Sequence, residues 1–358
     1  MDVLDLLRPE VRALAAYSVP DAKGLIKLDA MENPYSWPDT LRQGWLELLA
    51  LEPVNRYPEP APAGLLAALR AATGIYAGTG IVLGNGSDEL IQILALALRR
   101  DRSVLAPLPT FVMYRLIAQT VGLEFTGVPL RDDFTLDMAA MRIAIARTRP
   151  GLLFLSYPNN PTGNLFAEED VEELISLTPG WVVIDEAYFP FARKSFMGAL
   201  SRHPNLLVLR TLSKEGLAGL RFGFLAGPAT LIAELDKLRL PYNINRLTQR
   251  SVEFALAHAR YFAEQAESVV RERGRVTQAL QRHAVLTVFP SDANFILFRA
   301  PEASHLWEWL RSQGVLIKNM AGSGLPGYLR ATVGTPTEND CFLTTLSAGL
   351  NGIAAGAA

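Results

Sequence analysis

From about residue 64 onward, short apolar runs alternate with stretches that carry apolar residues at helical spacing. The runs at 81–83, 103–106, 124–128, 152–155, 181–184, 206–209 and 222–226 have strand length. Several, such as Trp181-Val182-Val183-Ile184, show no polar alternation, the pattern of a strand buried on both faces. Between them, 64–72, 87–99, 111–121, 137–147 and 168–177 read as helices. Strand and helix taking turns predicts an α/β fold, with a mostly parallel sheet sandwiched by helices. The texture changes after residue 241. One long helical region, 246–281, precedes a strand at 294–298, a helix at 303–313, strands at 315–318 and 328–333, and a helix at 338–350, which together predict a smaller α+β domain. The first 56 residues are irregular and Pro-rich, and are expected to pack against the smaller domain without a sheet of their own. The expected division is therefore 1–56 as an N-terminal segment, 57–241 as the large domain and 242–358 as the small C-terminal domain. A chain of 358 residues has room for about two domains.

Composition narrows the function more than the fold. Hydrophobic residues make up 49% and charged residues 20%, which excludes a disordered chain. With 34 basic against 36 acidic side chains there is no electrostatic footprint for nucleic acid or an anionic membrane. Cys341 is the single cysteine, and the four histidines are scattered with no H-E-x-x-H pair, so neither a disulfide framework nor a metal site is expected. Asp2 and Asp5 stand where a secretory signal carries base, and no apolar run approaches the roughly 18 residues of a membrane span. A soluble cytoplasmic protein with a large core is the expectation.

Ligands of open parallel sheets sit beyond the carboxyl ends of the strands. After 81–83 comes Gly84-Asn85-Gly86-Ser87-Asp88-Glu89, a glycine turn into a helix start whose free N–H groups suit an anion, or simply a capped turn. Glu89 stands where the dinucleotide fingerprint needs its third glycine, and no P-loop lysine comes after it. After 152–155 comes Asn160, in a turn made rigid by Pro158, Pro161 and Gly163; its amide can serve a ligand oxygen or the turn itself. Asp185 comes directly after 181–184. A carboxylate there needs a cation, a proton donor or local amides. After 206–209 comes Lys214, between a buried strand and a glycine-rich stretch, where a lowered pKa suits an imine-forming amine. Thr211, Ser213 and Arg221 around it could hold a phosphate. An amine for an aldehyde, a carboxylate for a ring nitrogen, donors for a ring hydroxyl and a cradle for a phosphate are what pyridoxal 5'-phosphate requires.

With these motifs, and with Lys27-Leu28-Asp29-Ala30-Met31-Glu32-Asn33-Pro34-Tyr35, Asn55-Arg56-Tyr57-Pro58 and Leu329-Arg330-Ala331-Thr332-Val333-Gly334-Thr335, the chain resembles the fold-type I, aspartate-aminotransferase-like family over nearly its whole length. Within that family it is most similar to the histidinol-phosphate aminotransferase group. The resemblance implies that Lys214 anchors the cofactor aldehyde and moves the proton at the substrate's amino carbon, and that Asp185 pairs with the pyridinium nitrogen. It implies that Asn160 and Tyr188 bond the ring hydroxyl, and that Phe111 stacks on the ring where tyrosine is common. Ser87 and Asp88, through their backbone amides, would join Thr211, Ser213 and Arg221 around the phosphate. Tyr57 would reach that phosphate from a neighbouring subunit, which implies a homodimer with shared sites. Arg330 would hold the substrate's anionic end, the phosphate of histidinol phosphate or the carboxylate of glutamate or 2-oxoglutarate, with Tyr17, Glu32 and Asn33 nearby. Two departures stand out: the Lys214-to-Arg221 segment is one residue shorter than in many members, and Lys318 is the nearest cation where a second phosphate arginine is often found. The same scaffold also serves aromatic amino acid transamination and threonine-phosphate decarboxylation. A cofactor-sensing regulator is a third reading, but the chain has no spare length for a DNA-binding module.

Overall fold

The computed structural model describes residues 2–14 and 20–356. A short strand, β1 (Ile26–Leu28), leads into the helix Asp39–Ala50. The large sheet then takes β2 (Thr79–Gly84), β3 (Ser103–Leu108), β4 (Glu124–Pro129), β5 (Leu152–Ser156), β6 (Trp181–Asp185), β7 (Leu206–Thr211) and β8 (Gly223–Pro228). Their spatial order is β2-β8-β7-β6-β5-β3-β4. All pairings are parallel except those of β8, which runs antiparallel to both β2 and β7.

Alternation along the central strands feeds two cores. Leu153, Leu155, Val182, Ile184, Leu206 and Val208 face one, and Leu152, Phe154, Val183, Leu207 and Leu209 face the other. The first is closed by the helices Ala63–Thr73, Met138–Thr148, Glu168–Leu177 and Arg246–Ala257, the second by Ser87–Ala97, Met113–Thr120 and Ala229–Asp236. A strand with both faces covered has no use for polar alternation, which is why these runs read as continuously apolar.

The small sheet has the order β1-β11-β12-β10-β9, from β9 (Thr287–Val288), β10 (Phe295–Arg299), β11 (Val315–Asn319) and β12 (Tyr328–Thr332). The N-terminal segment, expected to have no sheet of its own, adds a strand to the small one: β1 pairs in parallel with β11, Ile26 opposite Val315. The 246–281 region is likewise two helices, Arg246–Ala257 and Ala259–Gln281, broken at His258. Packing changes hands inside the second: Phe262 lies in the core under the large sheet and Ala266 in that of the small sheet. Among the described residues, no helix is long and apolar enough to cross a membrane.

Candidate active site

A cleft of about 520 Å³ opens at the carboxyl edge of the large sheet. Its walls are residues at or just beyond the strand ends: Ser87 and Asp88 after β2, Phe111 after β3, Asn160 after β5, Asp185, Ala187 and Tyr188 at β6, and Thr211, Ser213, Lys214 and Arg221 from the end of β7 to the start of β8. Met31 enters from the N-terminal segment. The parallel arrangement places all these ends on one edge.

Gly86 precedes the helix Ser87–Ala97 with φ +88°, a left-handed conformation suited to glycine. A Cβ at this position would come within 2.7 Å of Arg221 Nη2, so the turn needs glycine both for conformation and for space. Glu89 secures the turn by accepting from the Asn85 N–H at 2.5 Å and from Asn243 Nδ2 at 2.8 Å. The helix start, Arg221 and two hydroxyls are groups that could together receive an anion. Thr211 Oγ1 and Ser213 Oγ lie 2.8 Å apart, and Arg221 makes only long contacts, 3.5 Å to Ser213 Oγ and 3.5 Å to Asp88 Oδ2. Asp88 Oδ1 is buried with no hydrogen-bond partner. Burial pushes the Asp88 carboxyl up, while Arg221 and Lys214 pull it back.

Asp185 and Lys214 line the same cleft. Asp185 is buried, and burial pushes its carboxyl up to about 6 against hydrogen bonds from Tyr114 and the Ala187 N–H. Lys214 sits in the tight turn Ser213–Glu215, its Nζ donating to the Ala30 carbonyl at 3.2 Å. Burial, then the positive charges of Arg330 and Arg221, brings its amine down to about 8. A buried chain runs beside them. Arg330 Nη1 donates to Asn160 Oδ1 at 2.6 Å, Arg330 Nη2 to the Asp29 carbonyl at 2.9 Å, and Asn160 Nδ2 to Tyr188 Oη at 3.1 Å. Burial holds the Tyr188 phenol proton well above its ordinary range.

The structure thus brings together Ser87, Asp88, Phe111, Asn160, Asp185, Tyr188, Thr211, Ser213, Lys214 and Arg221, with Arg330 bonded to Asn160. Glu32 is exposed and paired with Lys27, and half-buried Asn33 donates to Gln265 Oε1 at 3.0 Å; neither lines the cleft. Tyr57 lies outside it, 76% exposed and stacked on Tyr242. Tyr17 falls outside the described residues. Sequence reasoning does not single out Met31, Ser156, Ala187 or Tyr114. Tyr114 carries one signal: three residues after Phe111 in a helical pattern, it shares Phe111's face. Among the described residues no group of three or more His, Cys, Asp or Glu side chains could hold a metal ion.

The pattern of the "Aminotransferase class I and II" family matches residues 23–346. A Nitrosococcus oceani protein named histidinol-phosphate aminotransferase 2 is 51% identical over 352 residues, 97% of this chain and 98% of that one. A Chromobacterium violaceum histidinol-phosphate aminotransferase is 48% identical over 349 residues, 97% of this chain and 98% of that one. The crystal structure of histidinol-phosphate aminotransferase from Sinorhizobium meliloti, in complex with pyridoxal-5'-phosphate, superposes with a TM-score of 0.88 at 22% identity, covering 98% of this chain and 99% of that one.

Proposed function

Because this chain belongs to the class I and II aminotransferases, we propose that it exchanges an amino group between histidinol phosphate and 2-oxoglutarate with pyridoxal 5'-phosphate as cofactor. The observation that carries the reading is a half-buried amine and a buried carboxylate lining one cleft with a helix start, two hydroxyls and an arginine suited to a phosphate. Bound there, the cofactor supplies an aldehyde that condenses with amines and a protonated ring that withdraws electrons from the amino carbon.

The chain's residues then take these roles. Lys214 anchors the aldehyde and, once displaced by substrate, carries a proton to and from the amino carbon; an amine titrating near 8 has a sizeable neutral, nucleophilic fraction at mildly basic pH. Asp185 would supply the negative charge that keeps a ring nitrogen protonated. Asn160 and Tyr188 hold the ring hydroxyl, and Phe111 covers one face of the ring. Ser87, Asp88, Thr211, Ser213 and Arg221 receive the phosphate. Arg330 grips the substrate's anionic end with a planar fork that Asn160 and the Asp29 carbonyl hold in place. Lys318 is its cross-strand partner on β11, so both side chains share one face of the small sheet and Lys318 supplies a second charge. Glu32 and Asn33 come next in the chain after Met31, which lines the cleft. A homodimer in which Tyr57 reaches the partner's phosphate cradle completes the site; the exposure of Tyr57 supports this reading.

Replacing Lys214 by Ala should abolish transamination and the near-visible absorbance of the lysine-bound cofactor. Full activity in that variant would sink the mechanism. Histidinol phosphate with 2-oxoglutarate should turn over far faster than phenylalanine with 2-oxoglutarate. The reverse ranking would move the chain to aromatic amino acids, and carbon dioxide release from threonine phosphate would make it a decarboxylase.

A further inference from the structure

Asp185 reaches the cleft with one donor on each carboxylate oxygen. Tyr114 Oη donates to Oδ2 at 2.7 Å, and the Ala187 N–H donates to Oδ1 at 3.1 Å. The backbone donor is fixed by the turn after β6, so Tyr114 is the one that side-chain identity decides. It is 1% exposed, lies flat against Phe154 (centroids 4.4 Å apart, 3° between planes) and meets Phe111 edge-on at 5.5 Å. The phenol is therefore held rigidly between the ring-covering Phe111 and the core. A buried phenol needs a partner, and this one finds the carboxylate on which the proposed chemistry turns.

We propose that Tyr114 is a positioning residue for the cofactor: it fixes the tilt of the Asp185 carboxylate and holds it ionised, so that it can keep a ring nitrogen protonated. The inference rests on the functional reading above and extends it to a group that touches neither substrate nor reacting atoms. Burial favours the neutral carboxyl, and the nearby carboxylates Asp88 and Glu186 push the same way. Only donors to the anion oppose them, and Tyr114 is the larger of the two. Removing its O–H would leave the carboxylate with a single backbone donor and freer to rotate.

The test uses the Tyr114→Phe holoenzyme, stripped of cofactor and reloaded. Dissociation constants are measured for pyridoxal phosphate and for its deaza analogue, in which a C–H replaces the ring nitrogen. Loss of the hydroxyl should weaken pyridoxal phosphate roughly tenfold, while the analogue, which makes no demand on Asp185, changes by less than about twofold. The nitrogen NMR shift of the bound ring should also move toward that of a neutral pyridine. Equal weakening of both ligands, or of neither, with an unmoved ring nitrogen, would show that Tyr114 only fills space and overturn the proposal. Phenylalanine keeps the stack on Phe154, and the analogue controls for any loosening of the fold. Failure of the wild-type chain to take up either ligand would instead overturn the functional reading beneath it.

Discussion

Asp185 is held where a carboxylate is least comfortable, and that discomfort can be measured. Unfolded, its carboxyl titrates near its ordinary 3.8; folded, burial raises it to about 6. Between those values the folded chain binds the extra proton, so its stability falls as pH rises through the window and stays lowered above it. A shift of about two units corresponds to a cost on the order of 3 kcal/mol at neutral pH. Asp185→Asn should therefore stabilise the cofactor-free protein by roughly 1–3 kcal/mol at pH 7, after allowing for the amide's poorer fit beside the Ala187 N–H, with the gain vanishing near pH 4. Melting curves of the apo variant at the two pH values check this, and an unchanged difference between them would contradict it. The strand-end position of Asp185 was legible from the apolar run before it. Its phenolic partner was not: Tyr114 precedes it by 71 residues, and a tyrosine on the apolar face of a helix reads as core until its hydroxyl is placed.

At the scale of elements, the turn from β2 into the helix Ser87–Ala97 shows how one glycine serves a whole site. Gly86→Ala would strain a left-handed backbone and press its Cβ against the Arg221 guanidinium. That guanidinium is the exposed end of a flexible side chain, so it would swing out of the cradle before the fold gave way. Affinity for pyridoxal phosphate should fall about tenfold or more, corresponding to the roughly 1–2 kcal/mol of a strained residue plus the lost cation. Gly219→Ala, in the glycine-rich stretch between Lys214 and Arg221, has negative φ and nothing within 4 Å of the added Cβ, and should bind as the wild type does. Equilibrium titration of both apo variants distinguishes the two sites. Elements buried on both faces announced themselves in the sequence because burial leaves a continuous apolar run. The elements that did not are those defined by distant partners. β1 is three residues, Ile26-Lys27-Leu28, and becomes a strand only beside Val315 to Ile317. The break at His258 has no Pro or Gly to mark it; the residue ends one helix with φ −112° and ψ 25°, and its Nδ1 pairs with the Phe254 carbonyl.

For the whole molecule, the site is assembled from both sheets. The large sheet supplies Asp185 and Lys214, while the N-terminal segment and small sheet supply the Ala30 carbonyl, Met31 and Arg330. The Arg330–Asn160 bond ties the two halves at the point where substrate would sit. What one chain does not bring to the cleft is Tyr57. It lies among other exposed apolar side chains nearby in sequence or space, Leu51, Val54, Tyr242 and Leu247, a surface suited to a second copy. The sequence carried this part only through family resemblance, because no local pattern distinguishes a tyrosine destined for a partner from one left in solvent. If sites are shared, two defective chains should repair each other. A Tyr57→Ala subunit keeps its own Lys214 and, paired with a Lys214→Ala subunit, borrows an intact Tyr57. One of the two sites in such a heterodimer is then fully native. Random reassociation makes half the dimers mixed, so a denatured and refolded equimolar mixture should recover about a quarter of wild-type activity. Each variant refolded alone should stay well below that level. A mixture no better than the average of its two components would mean that every chain builds its site from its own residues, and Tyr57 would lose its place in it.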